Sequence, residues 1–314
     1  MEKISIIIPC YNEGEVIKDF NTEICKVAKK VKADFEFIYI NDGSKDNTLE
    51  LVKALAKKDE RVKYISFSRN FGKEAGIYAG LKNATGDYVV IIDADLQHDP
   101  YLIVDMYDYV KGGYDSVAVR RVDRKGEKKI RSFFSETFYK LMKKITNIEI
   151  IEGEMDYRMM SRDMYQAVLR LSEYNRFSKG LFSWVGFDTK WIEQPNIERT
   201  KGETKWSFKA LVAYSLNGIT SFSTVPLLIP FIIGVILLTF AFLLFVIMII
   251  EGIVGNVNIL TSINFSIFLT SGLISMSIGV LCEYLSKMYT EVQKRPIYIE
   301  KESNIKNEKN KKSL

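Results

Sequence analysis

The sequence holds one histidine and three cysteines in 314 residues. A Ser-His-Asp triad would have to use His98, which stands beside Asp93, Asp95 and Asp99 and reads as a local hydrogen-bonding residue. Cys10, Cys25 and Cys282 show neither paired nor metal-type spacing, so a disulfide framework or a thiolate metal site is excluded and a reduced setting fits. No G-x-G-x-x-G follows the first apolar run, which removes a dinucleotide-dependent dehydrogenase, and no P-loop is present. There is no internal repeat and no signal peptide, because "MEKISIIIP" has the pattern of a strand. The net charge of +5 is modest, and its lysine clusters lie near apolar segments. Attraction to anionic lipid headgroups explains it more simply than nucleic acid does.

The apolar segments are the first positive feature. Residues 225–250 carry no charge and exceed the ~20 residues needed to cross a hydrocarbon core. Residues 263–286 form a second run, charge-free until Glu283, and the link "EGIVGNVNILTS" has no Lys or Arg. Lys201, Lys205 and Lys209 precede the pair, and Lys287, Lys294, Arg295 and a Lys-rich tail follow it. This bias predicts two transmembrane helices in a hairpin, with both termini in the cytoplasm, hence a multi-pass protein of the cytoplasmic membrane. The expected organisation is a globular part over 1–207, an interfacial helix over 208–224, spans at 225–250 and 263–286, and a basic tail over 287–314. The end of that tail, "KESNIKNEKNKKSL", has the composition of a disordered segment.

In the globular part, "KISIII", "FEFIYI", "VKYISF" and "DYVVII" read as strands, and 14–32, 46–59 and 73–84 read as helices. The alternation predicts an α/β fold with a mostly parallel sheet. In such sheets the ligand crevice lies outside the carboxyl ends of the strands. There the sequence places "PCYNE" (9–13), "NDGS" (41–44), "SRNFGKEAG" (68–76) and "DADLQHDP" (93–100). Each end is polar where a core would reject it. Together they favour a site over four ordinary loops.

Asp93 and Asp95 close an apolar strand. In an extended segment residues i and i+2 point the same way, so both carboxylates are expected in the crevice. Two like charges held together require neutralisation, and hard carboxylate oxygens suit Mg²⁺ or Mn²⁺, which usually also hold substrate phosphates.

These motifs resemble glycosyltransferase family 2, the inverting nucleotide-sugar enzymes of GT-A (Rossmann-like) fold. "EMDYRMMSR" (154–162), "NRFSKGLFSWVGF" (175–187) and "ERTKGETKWSF" (198–208) narrow the resemblance to polyprenyl-phosphate glycosyltransferases. It implies that Pro9, Tyr11, Glu13 and Asp42 hold the nucleoside, with Lys73 and Ala94 also at the nucleotide sugar. It places Asp93, Asp95 and Gln97 around the metal and diphosphate. Asp156 takes the place of the catalytic base, and Arg199 and Lys205 contact phosphates. The sequence departs from the family pattern at Met155 and Tyr157, which flank Asp156 where Gly and Phe are expected.

The implied reaction moves a hexose or N-acetylhexosamine, with UDP-glucose and UDP-N-acetylglucosamine the leading donors, onto undecaprenyl phosphate for cell-envelope glycosylation. A phosphate monoester has its second pKa near ~6, so this nucleophile is already charged and needs cations more than a strong base. Arg120, Arg121, Arg131 and Arg158 are candidates, because guanidinium matches phosphate oxygens in a fork. For Arg120 and Arg121 a solvated surface pair is an equal reading. Residues 130–145 place Phe134, Phe138, Leu141 and Ile145 on one helical face, away from Lys140, Lys143 and Lys144, so this stretch is expected to meet a lipid surface or, equally, to pack on the domain, whereas 208–222, with a span following, is expected at the lipid surface. A processive synthase would carry Gln-x-x-Arg-Trp and more spans, and neither is found. An inactive scaffold of the same fold is disfavoured by the intact acids. The resemblance also suggests a homo-oligomer.

Overall fold

Strand β1 (Lys3–Cys10) lies inside an eight-stranded sheet, and its composition accounts for that position. Ile4, Ile6, Ile7 and Ile8 are all fully buried, so both faces of the strand are covered. The computed structural model describes residues 1–122, 151, 153–171, 173–195 and 259–305. β1 runs parallel to β2 (Asp34–Asn41) and to β4 (Tyr88–Ile91), and β2 runs parallel to β3 (Val62–Phe67). Helices α1 (Ile17–Ala28), α2 (Thr48–Lys58) and α4 (Leu102–Lys111) share one core with Ile4, Ile6 and Ile8, while α3 (Lys73–Asn83) packs with Ile7 on the other. On α1 the buried residues are Ile17, Phe20, Ile24, Val27 and Ala28, the spacing of one helical face. A Cβ at Gly80 would lie 2.2 Å from Ile7 Cγ2, so α3 sits against β1 at a separation that glycine permits.

The second half of the sheet changes direction. β5 (Ser116–Arg121), β6 (Glu154–Ser161) and β7 (Thr189–Gln194) complete the order β7-β5-β6-β4-β1-β2-β3-β8. β6 is antiparallel to both β4 and β5. It is entered at Gly153, whose φ of 79° and 2.4 Å approach to the Arg121 carbonyl oxygen leave no room for a Cβ. The turn glycine therefore stands three residues before Asp156, and Met155 continues the strand. Ser161 ends β6 and caps α5 (Arg162–Arg170) by accepting from Met164 N. A short helix α6 (Ser178–Trp184) follows.

The expectation of a disordered tail from residue 301 is overturned through Ile305. β8 (Glu300–Ser303) pairs antiparallel with β3 at the sheet edge. Asn304 Oδ1 accepts from Tyr64 N at 2.7 Å, its Nδ2 donates to Val62 O at 3.1 Å, and Tyr298 stacks on Phe67 with centroids 4.8 Å apart. A strand edge left unpaired is an association hazard, and the tail covers this one.

Residues 1–215 and 296–314 form one compact unit, and 216–295 form another. In the second, α7 (Ile259–Val292) is described. The expected span at 263–286 is not borne out, because among the described residues no helix is long and apolar enough to cross a membrane. The 263–286 run lies within α7, where Ser266, Thr270 and Ser277 interrupt the apolar positions; Thr270 Oγ1 bonds back to Ser266 O at 2.7 Å. The 225–250 run, the 208–224 helix and the 130–145 stretch lie outside the described residues.

Candidate active site

The ends of the four parallel strands meet, as their polar sequences predict. Pro9, Tyr11 and Glu13 after β1, Asp42 after β2, Lys73 after β3, and Asp93, Ala94 and Asp95 after β4 line one open crevice. Side chains bonded to backbone amides hold these loops in register. Asn12 N donates to Ser44 Oγ at 3.0 Å, Lys45 N to Asn12 Oδ1 at 2.8 Å, and Glu13 N to Thr48 Oγ1 at 2.8 Å. "PCYNE" and "NDGS" thus form one structure. Gly43, at φ 64°, lets the Arg69–Asn70 backbone approach to within 2.5 Å of where a Cβ would stand. Buried Asp42 accepts from Phe71 N at 2.6 Å and Gly72 N at 2.9 Å, and so shapes the loop that delivers Lys73. Burial pushes the Asp42 carboxyl up against the opposing pull of these amides.

The acids after β4 are arranged differently from a simple extended end. The strand stops at Ile91, and Asp93–Gln97 form a turn in which Leu96 has φ 57°. Asp95 is 7% exposed, and its Oδ1 accepts from Gln97 N at 3.1 Å. Asp93 faces the other way along the crevice, toward α3. Lys73 Nζ lies 2.8 Å from Asp93 Oδ2 and 2.5 Å from Asp156 Oδ2. One ammonium therefore joins two of the expected site carboxylates, Asp93 and Asp156. The three side chains are 29%, 25% and 21% exposed, so solvent and ligands reach them.

Electrostatics follow from this geometry. Burial and Asp93 push Asp156 up, but Lys73 and Lys179 outweigh them, and its pKa is lowered. Burial likewise opposes ionisation of Asp93, while Lys73 and His98 hold it well below the usual carboxylate range. Burial works against the charge on Lys73, but Asp156 and Asp93 overcome it and raise its pKa. His98 is buried, with Nε2 at 3.7 Å from Asp93 Oδ2 and its ring 5.2 Å from that of Tyr157.

Of the four arginine candidates, Arg158 is 2% exposed and is held in a 2.6 Å pair with Glu154, its guanidinium 4.1 Å above the Phe182 ring. It supports β6 from within and does not line the crevice. Arg120 is ion-paired with Glu193 at the solvent-exposed end of β5. Arg121 follows it, with its backbone N bonded to Gly153 O at 2.8 Å. Arg131, Arg199 and Lys205 lie outside the described residues. Gln97 follows the Asp95 turn, and its carbonyl accepts from Gln194 Nε2 at 3.1 Å.

Two participants escaped the sequence reading. Lys179 on α6 donates to Glu154 O at 2.6 Å and lowers the Asp156 pKa, and Glu74 bonds Ser178 at the start of the same helix. The motifs that carry them, "NRFSKG" for Lys179 and "SRNFGKEAG" for Glu74, stand in the sequence, but nothing in either says which strand or helix it meets.

A divalent cation fits the donor set. Asp93 and Asp95 offer hard oxygens on the crevice wall, and the Lys73 ammonium between Asp93 and Asp156 marks that wall as a place for positive charge; Gln97, expected beside them, is not among the residues that line the crevice. Among the described residues no group of three His, Cys, Asp or Glu could hold a metal, so substrate phosphates or water would complete the coordination.

The Glycosyl transferase family 2 model matches residues 5–169, which span β1 through most of α5. The chain is 40% identical over 299 residues to the prophage bactoprenol glucosyl transferase homolog of Escherichia coli (strain K12), covering 95% of this chain and 98% of that one. It is 40% identical over 311 residues to the bactoprenol glucosyl transferase of Shigella phage SfV, covering 98% and 100%. Among solved structures it is similar to glucosyl-3-phosphoglycerate synthase from Mycobacterium tuberculosis in complex with Mn²⁺, UDP-glucose and phosphoglyceric acid, with TM-score 0.46 and 18% identity over 70% of this chain and 79% of that one. With its strand-end motifs gathered in one crevice and this match across more than half its length, the chain belongs to glycosyltransferase family 2.

Proposed function

We propose that this glycosyltransferase moves a hexose, with glucose the first candidate, from a nucleoside-diphosphate sugar to a polyprenyl phosphate at the cytoplasmic face of the membrane, with inversion. The observation that supports the reading is that Asp156 stands one ammonium away from Asp93; in this proposal the first is the acceptor-side carboxylate and the second the diphosphate-side one. The sugar and carrier come from relatives named bactoprenol glucosyl transferases, whose similarity extends past the catalytic domain to 95–98% of this chain.

In this reading the "PCYNE" and Asp42 loops receive the nucleoside, and the diphosphate lies toward Asp93, Asp95 and Gln97. A divalent cation held by those residues would stabilise charge on the departing diphosphate. Asp156 orients the acceptor. Its pKa is lowered by Lys73 and Lys179, which makes it a weak base, and a phosphate monoester with second pKa near ~6 is already ionised at neutral pH. Arg131, Arg199 and Lys205 are proposed to hold acceptor or donor phosphates. Membrane contact is supported by the charge-free 225–250 run and by α7, where Ile267, Ile274, Ile278, Leu281 and Leu285 are each more than half exposed.

The test is transfer by the full chain in detergent, with undecaprenyl phosphate and labelled UDP-glucose, UDP-N-acetylglucosamine or GDP-mannose in separate reactions. Label is expected in the organic phase with one uridine donor. Absence of organic-soluble label from every donor, with label instead on a water-soluble acceptor, overturns the reading.

A further inference from the structure

We infer that Lys73 is an internal counter-ion that competes with the divalent cation for Asp93, so that metal and nucleotide bind this site as a coupled pair. The inference rests on the metal-dependent reading above and deepens it. Three observations lead to it. First, Lys73 Nζ makes close contacts with two carboxylates at once, Asp93 Oδ2 at 2.8 Å and Asp156 Oδ2 at 2.5 Å. A cation approaching Asp93 from the crevice must share or replace that partner. Second, Lys73 is the first residue of α3 and follows Gly72, whose φ is 94° and whose added Cβ would meet nothing within 4 Å. The root of the side chain is therefore in an open, glycine-shaped loop, while Asp42 fixes the amides of Phe71 and Gly72 beside it. Third, the Lys73 side chain is 29% exposed and lines the crevice wall, next to where a diphosphate would lie.

These facts define an exchange. Lys73 neutralises Asp93 and Asp156 in the arrangement seen. A nucleotide diphosphate offers the ammonium a doubly charged partner a short side-chain rotation away. Asp93 is then released to the metal, and Asp156 is released toward the acceptor. Lys73 is in this account a positioning residue: it keeps a metal-side carboxylate occupied until the donor arrives. Opposite charges this close, partly shielded from water, interact strongly enough to shift a binding equilibrium tenfold or more.

The measurement is Mn²⁺ binding to the full chain in detergent, read from the electron paramagnetic resonance of free Mn²⁺, with and without UDP. Lys73→Met is expected to bind Mn²⁺ alone at least fivefold more tightly than wild type, because two carboxylates lose their counter-ion. It is also expected to bind UDP alone more weakly, and the enhancement of Mn²⁺ binding by UDP should shrink. Lys73→Arg, which keeps the charge, should retain the weak Mn²⁺ binding of wild type. A loss of structure alone could not tighten metal binding. Lys73→Gln repeats the test if the methionine variant does not fold. Unchanged or weaker Mn²⁺ binding in the folded neutral variants overturns the inference while leaving the metal site standing. Failure of wild type to bind Mn²⁺ even with UDP overturns the metal reading itself, and the inference with it.

Discussion

Glu36 offers the most direct test of how the sheet is held together. It is buried at the amino end of β2, away from the crevice, where Oε1 accepts from Ser5 Oγ at 2.5 Å and Thr85 N at 2.8 Å. Oε2 pairs with Lys63 at 2.6 Å and Lys3 at 2.9 Å. Burial pushes the carboxyl up, but the bonds from Lys63, Ser5, Thr85 and Lys3 outweigh it and hold the pKa at about 2, from 4.5. At ~1.4 kcal/mol per pKa unit this corresponds to at most ~3.4 kcal/mol of stability at neutral pH. Lys3 and Lys63 keep 33% and 27% exposure, and water would solvate them after the loss of their partner. A cost of about 2 kcal/mol is therefore expected for Glu36→Gln, which keeps an acceptor for Ser5 and Thr85 but removes the charge. For a unit of this size that is a fall of roughly 4–8 °C in melting temperature. The sign with pH is fixed by the lowered pKa. The contribution is complete above the unfolded value of 4.5 and is lost as pH falls toward 2, so the two proteins should converge over that window. The assay is urea or thermal unfolding of the full chain in detergent between pH 7 and pH 2.5, with UDP affinity as a control that should not change. Equal stability at neutral pH, or a difference that persists undiminished at pH 2.5, would refute the reasoning.

Asp95→Asn keeps the shape of the turn but removes a charge from the proposed metal site; transfer should fall about a hundredfold, and wild-type activity should vanish in chelator and return with Mg²⁺ or Mn²⁺. Full activity in excess EDTA would end the metal reading. Arg158→Met leaves Glu154 buried without its guanidinium and should destabilise by about 3 kcal/mol in urea unfolding, whereas a phosphate ligand would show as a raised KM at unchanged stability. Asn304→Ala removes both side-chain bonds to β3 and should cost about 1–2 kcal/mol; ending the chain at Arg295 should uncover the β3 edge and produce aggregation visible in size-exclusion chromatography. An unchanged melting temperature and a monodisperse truncated chain would show that β8 contributes nothing.

The first half of the domain was legible because its information is local. Short runs such as "KISIII" and "FEFIYI" alternate with amphipathic stretches, and β1 to β4 and α1 to α3 stand within a few residues of where those patterns place them. The polar motifs after each strand were legible for the same reason. A parallel sheet brings strand ends together by its connectivity, so "PCYNE", "NDGS" and the acids after β4 meet. The turn at Asp93–Gln97 was not read, because nothing in "IIDADLQ" distinguishes an extended end from a strand that stops at Ile91.

Tertiary structure alone decided the rest, since the deciding contacts join residues far apart in sequence. Lys73 and Asp156 are 83 positions apart, and they meet because β6 inserts antiparallel beside β4 while α3 packs over the same face. A sequence shows that a lysine follows β3, but not that its ammonium bridges two acids. Arg158 looks like a phosphate ligand from its type, and becomes an interior support only because Glu154 and Phe182 enclose it. The tail reads as disordered from its composition, yet β3 offers it an open row of backbone donors and acceptors, and Asn304 reaches back 240 positions to bond Tyr64. Composition records what a segment can bury by itself; it carries no record of the edge that another part of the chain leaves unpaired.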